Sequence, residues 1–419
     1  MSSVLQHEAV EATRVRLVAV VHAQPESEPE PQALRAKTPL AVRIRRISDA
    51  AVVLIFLFAV LTPLYGYLFR TPPPNDENRE LARFPTISTK KYVIQDFAKW
   101  FEIHFNDHVG YRDVLLDYYR LAMNRGFHMS SSPKAWIGQE DWIYLNVDDP
   151  DRINPSKPTL DQKAEAWADV LADRQVYLAA RGIAYIVMIA PEKSAVYPEY
   201  LPPRRKRSQP PEPSALLAAK LKSRGVRCVN LLPSLLAAKE GATYPLYYRT
   251  DTHWSPDGAR IGYKEFAKEL SAVLPGFAPE PDSRFEMYED TGGGDIWKFV
   301  GPPETFVPEA CRRYPARDRV IEQSIPAFAA LLDPEDNRVH VPLRTYTTKA
   351  TGPTLLLLRD SFATDMLPFF TADFGRVTAI PSHRFPLVAL NTEKPRIVVQ
   401  QMVARTIYLE KAMNPAGVR

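Results

Sequence analysis

The sequence predicts an α/β fold: a mostly parallel sheet covered by helices, set behind one membrane-spanning helix. Three observations predict it. Short, largely apolar runs recur at Tyr185–Ile189, Val226–Val229, Thr354–Leu358, Val377–Ile380 and Arg396–Val399, as strands buried on both faces require. Segments with apolar residues at helical spacing alternate with them, which is the pattern of parallel strands joined by crossover helices. Residues Ala50–Phe69 (AAVVLIFLFAVLTPLYGYLF) carry no charge, and about twenty such residues cross a bilayer's hydrocarbon core.

Taken in order, residues 1–49 read as a disordered cytoplasmic tail, polar at its centre with Pro-Glu-Ser-Glu-Pro-Glu-Pro at 25–31. Arg43, Arg45 and Arg46, with Arg35 and Lys37 behind them, precede the apolar segment, while Arg70, Asp76 and Glu77 follow it. The positive-inside rule therefore keeps residues 1–49 in the cytoplasm and exports the rest. Pro63 and Gly66 are tolerable in a membrane helix. A cleaved signal peptide and a buried core helix are the rival readings, and no small-x-small cleavage site follows the run. Residues 71–78 (TPPPNDEN) form a stiff polar exit.

Residues 70–159 are expected to be a linker and helical region that packs on the main domain. Ile94, Phe97, Phe101 and Phe105 mark one helical face, and a second helix starts at Arg112, with Val114, Leu115, Tyr118 and Leu121 as its apolar positions. Trp136–Gly138 and Trp142–Leu145 bracket the turn Gln139-Glu140-Asp141 as a strand pair. The α/β domain spans 160–419. Its helices are predicted at Asp161–Arg181, ended by Gly182, at Ser214–Ser223, at Leu231–Lys239, and from Ser255-Pro256 to about Leu274. In the last of these Ser255 is the N-cap and Pro256 the first helical residue. Residues 275–350 break the rhythm with prolines and glycines and read as a partly β insertion near the sheet's working edge.

The formal charge of +4 over 419 residues does not suggest nucleic-acid binding, and no recognition motif for DNA or RNA stands out. The 39 prolines argue against a simple helical bundle. Cys228 and Cys311 lie in the exported part, where a bridge is permitted and two separate thiols are equally compatible with the sequence.

Two distant segments carry the chemistry. Ser361 follows the apolar run Leu355–Leu358 and a short Arg359-Asp360 bend. The carboxyl ends of strands in an open α/β sheet form the ligand crevice, and amides of a following helix can stabilise an oxyanion. A serine needs a base to become a nucleophile. Asp251-Thr252-His253-Trp254-Ser255 supplies one in His253, with Asp251 to hold its ring. Both can face one site if the stretch is extended, because alternate side chains share a face. The plainer reading makes Asp251 and Ser255 helix-start caps.

Other candidates are weaker. His104 and His108, four apart with Asp107 beside them, have metal-binding spacing but no Glu-x-x-His frame, and no metal is expected. His383, just past the strand ending at Ile380, is a candidate pocket residue and reserve base; a surface histidine is the plainer description. Gly292-Gly293-Gly294-Asp295 could bring amides near a ligand but lacks the G-x-G-x-x-G spacing. Arg204, Arg205, Lys206 and Arg207 could meet an acidic polysaccharide or form a solvated loop.

These blocks resemble the alginate O-acetyltransferase AlgX/AlgJ-like family. The resemblance rests on Tyr248–Ser255 with its Asp-x-His-Trp core and on Arg359-Asp360-Ser361-Phe362. It also rests on Ala190–Glu199, on Phe101-Glu102 through Asn106-Asp107-His108 with Tyr111-Arg112, and on the Gly138–Tyr144 turn. It covers roughly residues 75–410, and the membrane segment makes the chain look like the AlgJ type. The resemblance implies an SGNH-hydrolase-like, flavodoxin-like three-layer domain with permuted motif order: the serine comes after the Asp-His pair. It implies transfer of acetyl groups onto sugar hydroxyls of an exported polysaccharide, with Ser361 as acetyl carrier, His253 as base and Asp251 as its orienter. No cofactor is implied. A membrane-bound O-acyltransferase supplying acetyl is implied as partner, with a bacterial inner-membrane location and a periplasmic or extracellular catalytic domain. The Ser361 amide would be one oxyanion donor. Arg359, Asp360, Trp254 and His383 are candidate substrate or oxyanion residues, and Gln400 or Gln401 stands in for the missing asparagine of the usual third block. Arg359 replaces the glycine common before Asp-Ser. An acetylesterase using the same three residues, and a non-catalytic scaffold of an export complex, are the competing functions.

Overall fold

The computed structural model describes residues 39–70, 81–84, 94–146, 156–206, 212–317, 321–324, 344–347 and 352–418. Residues 1–38 of the tail expected over 1–49, the exit at 71–78, Arg207 and residues 325–343 lie outside the described residues, and the end of that expected tail, 39–49, is helical and continuous with the apolar segment. The chain divides into two compact units between Tyr111 and Arg112.

In the first unit a helix runs Pro39–Phe69. Its apolar part is exposed from Ile44 to Leu61 and partly covered at Thr62, Pro63, Gly66 and Tyr67. A second helix, Ile94–His108, ends short of Gly110, so the expected helical region is two helices. His104 and His108 spend ring nitrogens on the carbonyls of Ala82 and His104, at 2.8 and 2.9 Å. Asp107 accepts the Ala82 amide at 2.8 Å.

The second unit holds the sheets. Strands β1 (Ala135–Ile137) and β2 (Ile143–Leu145) form the expected antiparallel pair. The main sheet uses β3 (Ala184–Ala190) and β4 (Cys228–Asn230), then, after the hairpin β5 (Tyr288–Gly292) and β6 (Glu309–Arg313), β7 (Ile321–Ser324) and β8 (Arg344–Thr347). It is completed by β9 (Thr354–Leu358), β10 (Arg376–Ile380) and β11 (Ile397–Val403). The strand order is β4-β3-β11-β9-β10-β8-β7. The first five are parallel neighbours, and β8 and β7 join antiparallel at one edge. The insertion thus contributes both its own hairpin and two strands of the main sheet. Strand β4 starts two residues later than predicted, at Cys228, after the turn at Arg224-Gly225.

Alternate residues of the central strands feed two cores. Ile186, Met188, Leu355, Leu357, Val377 and Val399 face helix Pro256–Val273 and its neighbours. Val187, Ile189, Leu356, Leu358 and Val398 face helices Leu160–Ala179 and Pro213–Ser223. Period-two side-chain alternation inside continuous apolar strands is what makes three layers. Cys228 and Cys311 are both free thiols.

Helix Pro256–Val273 begins as predicted, with Ser255 capping the Gly258 amide and Pro256 at the first position. A Cβ at Gly258 would stand 2.3 Å from the Leu246 carbonyl oxygen and 3.0 Å from Trp254 Cβ. Backbone cannot yield as a flexible side chain does, so Gly258→Ala is expected to lower unfolding free energy by about 1–3 kcal/mol. A drop in the urea midpoint with unchanged slope checks this.

Candidate active site

Ser361 and His253 are delivered by separate loops at the carboxyl end of the sheet. Beyond β9, Ser361 opens a 3-10 segment, Ser361–Met366, and an α-helix follows only at Leu367. Asp360 shapes this bend. One carboxylate oxygen accepts the Phe362 amide and the Gln401 side-chain amide, both at 2.9 Å, and the other accepts the Val403 amide at 2.6 Å. The Asp360 amide donates back to Gln401 Oε1 at 3.0 Å. The serine turn is thereby stitched to β11, leaving Ser361 itself exposed.

The histidine loop is a tight reversal. Tyr247 pairs with Trp254, and the Ser255 amide donates to the Leu246 carbonyl at 2.8 Å. Lys193, at the end of β3, inserts its ammonium into the loop and donates to the carbonyls of Tyr248, Arg249 and Asp251 at 3.0, 2.9 and 2.7 Å. Burial pushes this ammonium down to about 8, against the pull of Asp295, Glu309, Asp251 and Glu192. The buried Trp254 indole donates to the Phe362 carbonyl at 2.9 Å, tying the two loops together.

The result is a continuous hydrogen-bonded chain. His253 Nε2 lies 2.7 Å from Ser361 Oγ, and His253 Nδ1 lies 2.7 Å from Asp251 Oδ1. The Asp-Thr-His stretch is not extended, contrary to expectation. It bends, and Asp251 Oδ1 also accepts the His253 amide at 2.9 Å. The acid therefore reaches the ring by folding over its own loop, a common habit of aspartate at turns.

A second carboxylate stands at the same nitrogen. Asp295 Oδ2 is 3.4 Å from His253 Nδ1. Its two oxygens accept the Thr252 amide and hydroxyl, each at 2.6 Å, and its own amide donates to Asp251 Oδ2 at 3.0 Å. Gly293 and Gly294 adopt φ of 92° and 99°, which lets the loop double back and place Asp295 there. Burial opposes ionisation of Asp251, but the bonds from His253 and from the His253 and Asp295 amides outweigh it and hold it at about 2. Burial likewise works against the His253 cation, and the Asp251 bond and Asp295 charge overcome it, so His253 is raised. Burial and the neighbouring Asp251 raise Asp295. The ligand atoms of these three residues lie within 4.8 Å of one another, a spacing open to a cation, yet their acceptors are already engaged by protein donors.

Several predicted residues land elsewhere. Gln400 and Gln401 are fully buried. Gln401 serves Asp360, and Gln400 bonds Arg174 and His383 at 2.7 and 2.9 Å. His383, 3% exposed, sits behind Asp360, 3.8 Å from its carboxylate. Strand alternation turns Gln400 into the opposite layer, while Gln401 reaches the serine turn only through Asp360. Trp254 and Asp360 position loops. The Phe362 amide, first of the segment after the serine, is consumed by Asp360. Arg359 donates to the Asp360 carbonyl and Thr364 hydroxyl at 3.1 and 2.9 Å. It lines a cleft of about 250 Å³ beside Ser361, together with Asp360, Thr364 and Arg405. Arg405 leaves the end of β11 and pairs with Glu192, from the end of β3, at 3.0 Å. Sequence reasoning missed Lys193, Asp295, Glu192 and Arg405 as site residues. The signals were a glutamate-lysine pair closing a buried strand and an aspartate after three glycines.

A three-layer α/β domain with a serine past one parallel strand and a hydrogen-bonded Asp-x-His-Trp loop is SGNH-hydrolase-like. The matches support the AlgX/AlgJ-like family: a family model described as "SGNH hydrolase-like domain, acetyltransferase AlgX" matches residues 135–341. That span includes Asp251, His253 and Asp295 and stops short of Ser361. A relative from Azotobacter vinelandii, "Probable alginate O-acetylase AlgJ", is 22% identical over 80% of this chain and 84% of its own length. One of the same name from Pseudomonas fluorescens is 27% identical over 49% of this chain, which spans only 45% of that relative's length. The "Alginate biosynthesis protein AlgX" of Pseudomonas aeruginosa is 30% identical over 35% of this chain and 30% of its own. Among solved structures, the "O-Acetyltransferase Domain of Pseudomonas putida AlgJ" aligns with a TM-score of 0.46 at 18% identity, covering 68% of this chain and 98% of that one.

Proposed function

We propose that this protein is a membrane-anchored O-acetyltransferase that moves acetyl groups onto sugar hydroxyls of an exported polysaccharide through an acetyl-serine intermediate. The observation that carries this reading is His253, bonded at 2.7 Å to Ser361 on one side and to Asp251 on the other. His253 Nε2 takes the Ser361 proton as Oγ attacks the carbonyl carbon of the acetyl donor. The oxyanion forms beside the Ser361 amide, and collapse expels the donor's leaving group, which receives the proton from His253. In the second half His253 deprotonates a sugar hydroxyl, which attacks acetyl-Ser361. Ser361 leaves as the better-protonated alcohol, taking the proton back from His253. Asp251 fixes the ring with Nε2 facing the serine and stabilises the imidazolium. The donor is supplied by a membrane-bound O-acyltransferase. Residues 50–69 anchor the protein, with the N-terminus cytoplasmic and residues beyond Phe69 on the far side of the inner membrane. The twenty uncharged residues flanked by Arg43, Arg45 and Arg46 support this orientation.

The test incubates the purified protein with an activated acetyl ester and acetyl-free oligosaccharides and weighs both protein and sugars by mass spectrometry. Acetyl found first on Ser361 and then on sugar supports the reading. Ester hydrolysis that sugars do not divert makes the protein an esterase, and inertness beside its membrane partner makes it a scaffold.

Asp295 acts as a second positioning carboxylate for the His253 cation. Activity requires neutral His253, whose raised pKa places the acid limb of the rate profile above that of an ordinary histidine. Removing the Asp295 charge lowers the His253 pKa, so Asp295→Asn is expected to move the acid limb of kcat/KM to lower pH while reducing the plateau. A limb that stays in place restricts Asp295 to holding Thr252.

A further inference from the structure

Helix Ile94–His108 is fastened to the last turns of the apolar helix. The Gly110 amide donates to the Pro63 carbonyl at 3.1 Å. A Cβ at Gly66 would stand 2.8 Å from Gly110 Cα, so only glycine permits the approach. The Tyr67 ring meets those of His104 and Phe105 at 6.3 and 5.8 Å, and the Arg70 guanidinium lies 4.9 Å above the Tyr111 ring. The 26-residue stretch Ile44–Phe69 is about 39 Å long at about 1.5 Å per residue, beyond the roughly 30 Å of a hydrocarbon core. Pro63 and Gly66 lie within about 9 Å of its end by the same rise. If this stretch spans a bilayer, Gly110 and the end of helix Ile94–His108 are held at the boundary between acyl chains and headgroups.

That helix is apolar where it should not be in water. Trp100 and Phe101 are 53% and 41% exposed, and Phe84, packed edge-on against Phe101, is 56% exposed. Glu102 and Asn106 lie on the opposite side by helical spacing. A helix with one apolar and one polar side, pinned at membrane depth, lies in the interface with its apolar side sunk about 5–10 Å. We propose that helix Ile94–His108 is an interfacial helix that lays Trp100 and Phe101 against the outer leaflet of the bilayer. The occupant is lipid, and this inference rests on reading Ile44–Phe69 as the membrane anchor.

The full-length protein, with Cys228 and Cys311 replaced by serine, would be reconstituted into phosphatidylcholine–phosphatidylglycerol vesicles. An environment-sensitive fluorophore would be attached in turn through Trp100→Cys, Phe101→Cys, Glu102→Cys and Phe56→Cys. Quenchers are iodide in the water and nitroxides carried on lipid either near the headgroup or near the tail end. The expected result is loss of emission at 100 and 101 with the shallow nitroxide, several-fold less loss with the deep one, and protection from iodide. Glu102→Cys should show the reverse, open to iodide. Iodide quenching at 100 and 101 equal to that at 102 overturns the proposal. Shielding from iodide and both nitroxides also overturns it, because protein then covers the face. The Phe56→Cys label separates the two readings: without deep-nitroxide quenching there, the anchor itself falls.

Discussion

Ser361→Ala is expected to abolish acetyl transfer, with a loss of roughly 10³-fold or more in kcat. In the proposed mechanism the serine oxygen carries the acetyl group between donor and acceptor. Its Oγ bonds His253, and the bend around it is held by Asp360 through Phe362, Gln401 and Val403. The substitution should therefore leave the fold intact. Intact-protein mass spectrometry should lose the acetylated species, with the melting temperature unchanged. Sugar acetylation at the wild-type rate by this variant would remove Ser361 from the mechanism.

Asp251→Asn should cost about 10⁴-fold in kcat with little change in KM. Asparagine matches the shape but offers one acceptor oxygen where the carboxylate serves three donors: the His253 ring, the His253 amide and the Asp295 amide. Its amide nitrogen turned toward Nδ1 would favour the tautomer whose Nε2 proton faces Ser361, and that ring cannot accept the serine proton. The carboxylate's field is lost as well, so the imidazolium formed during attack is less stable. A steady-state comparison with wild type checks the split: a rise in KM at unchanged kcat would mean Asp251 acts on substrate binding. Asp295 is left to partner the ring in this variant, and adding Asp295→Asn should deepen the loss less than additively if the two carboxylates share one imidazolium.

The pattern of buried strands was legible because their apolar runs are continuous: Thr354–Leu358 is β9 residue for residue. Caps and turns were legible where one residue type has one use, as at Ser255-Pro256 and Gly182. The Asp-x-His-Trp block and the serine past β9 were legible as chemistry because acid, base and nucleophile are scarce outside charged surfaces. What the sequence could not supply was direction. Gln400 and Gln401 are adjacent, and a strand sends them to opposite faces, one to Arg174 and the other to Asp360. Asp295, Glu192, Lys193 and Arg405 look like ordinary polar residues until distant segments bring them to the carboxyl end of one sheet.

The sequence by itself determined the membrane-length helix, the alternation of strand and helix, and the candidate acid, base and nucleophile Asp251, His253 and Ser361. Local periodicity and side-chain chemistry are properties of neighbouring residues. The tertiary structure alone decided that Ser361 meets His253 across 108 positions of chain, that a second carboxylate stands behind the ring, and that Lys193 clamps the loop. Such contacts depend on strand order and loop closure, which arise from packing of the whole domain.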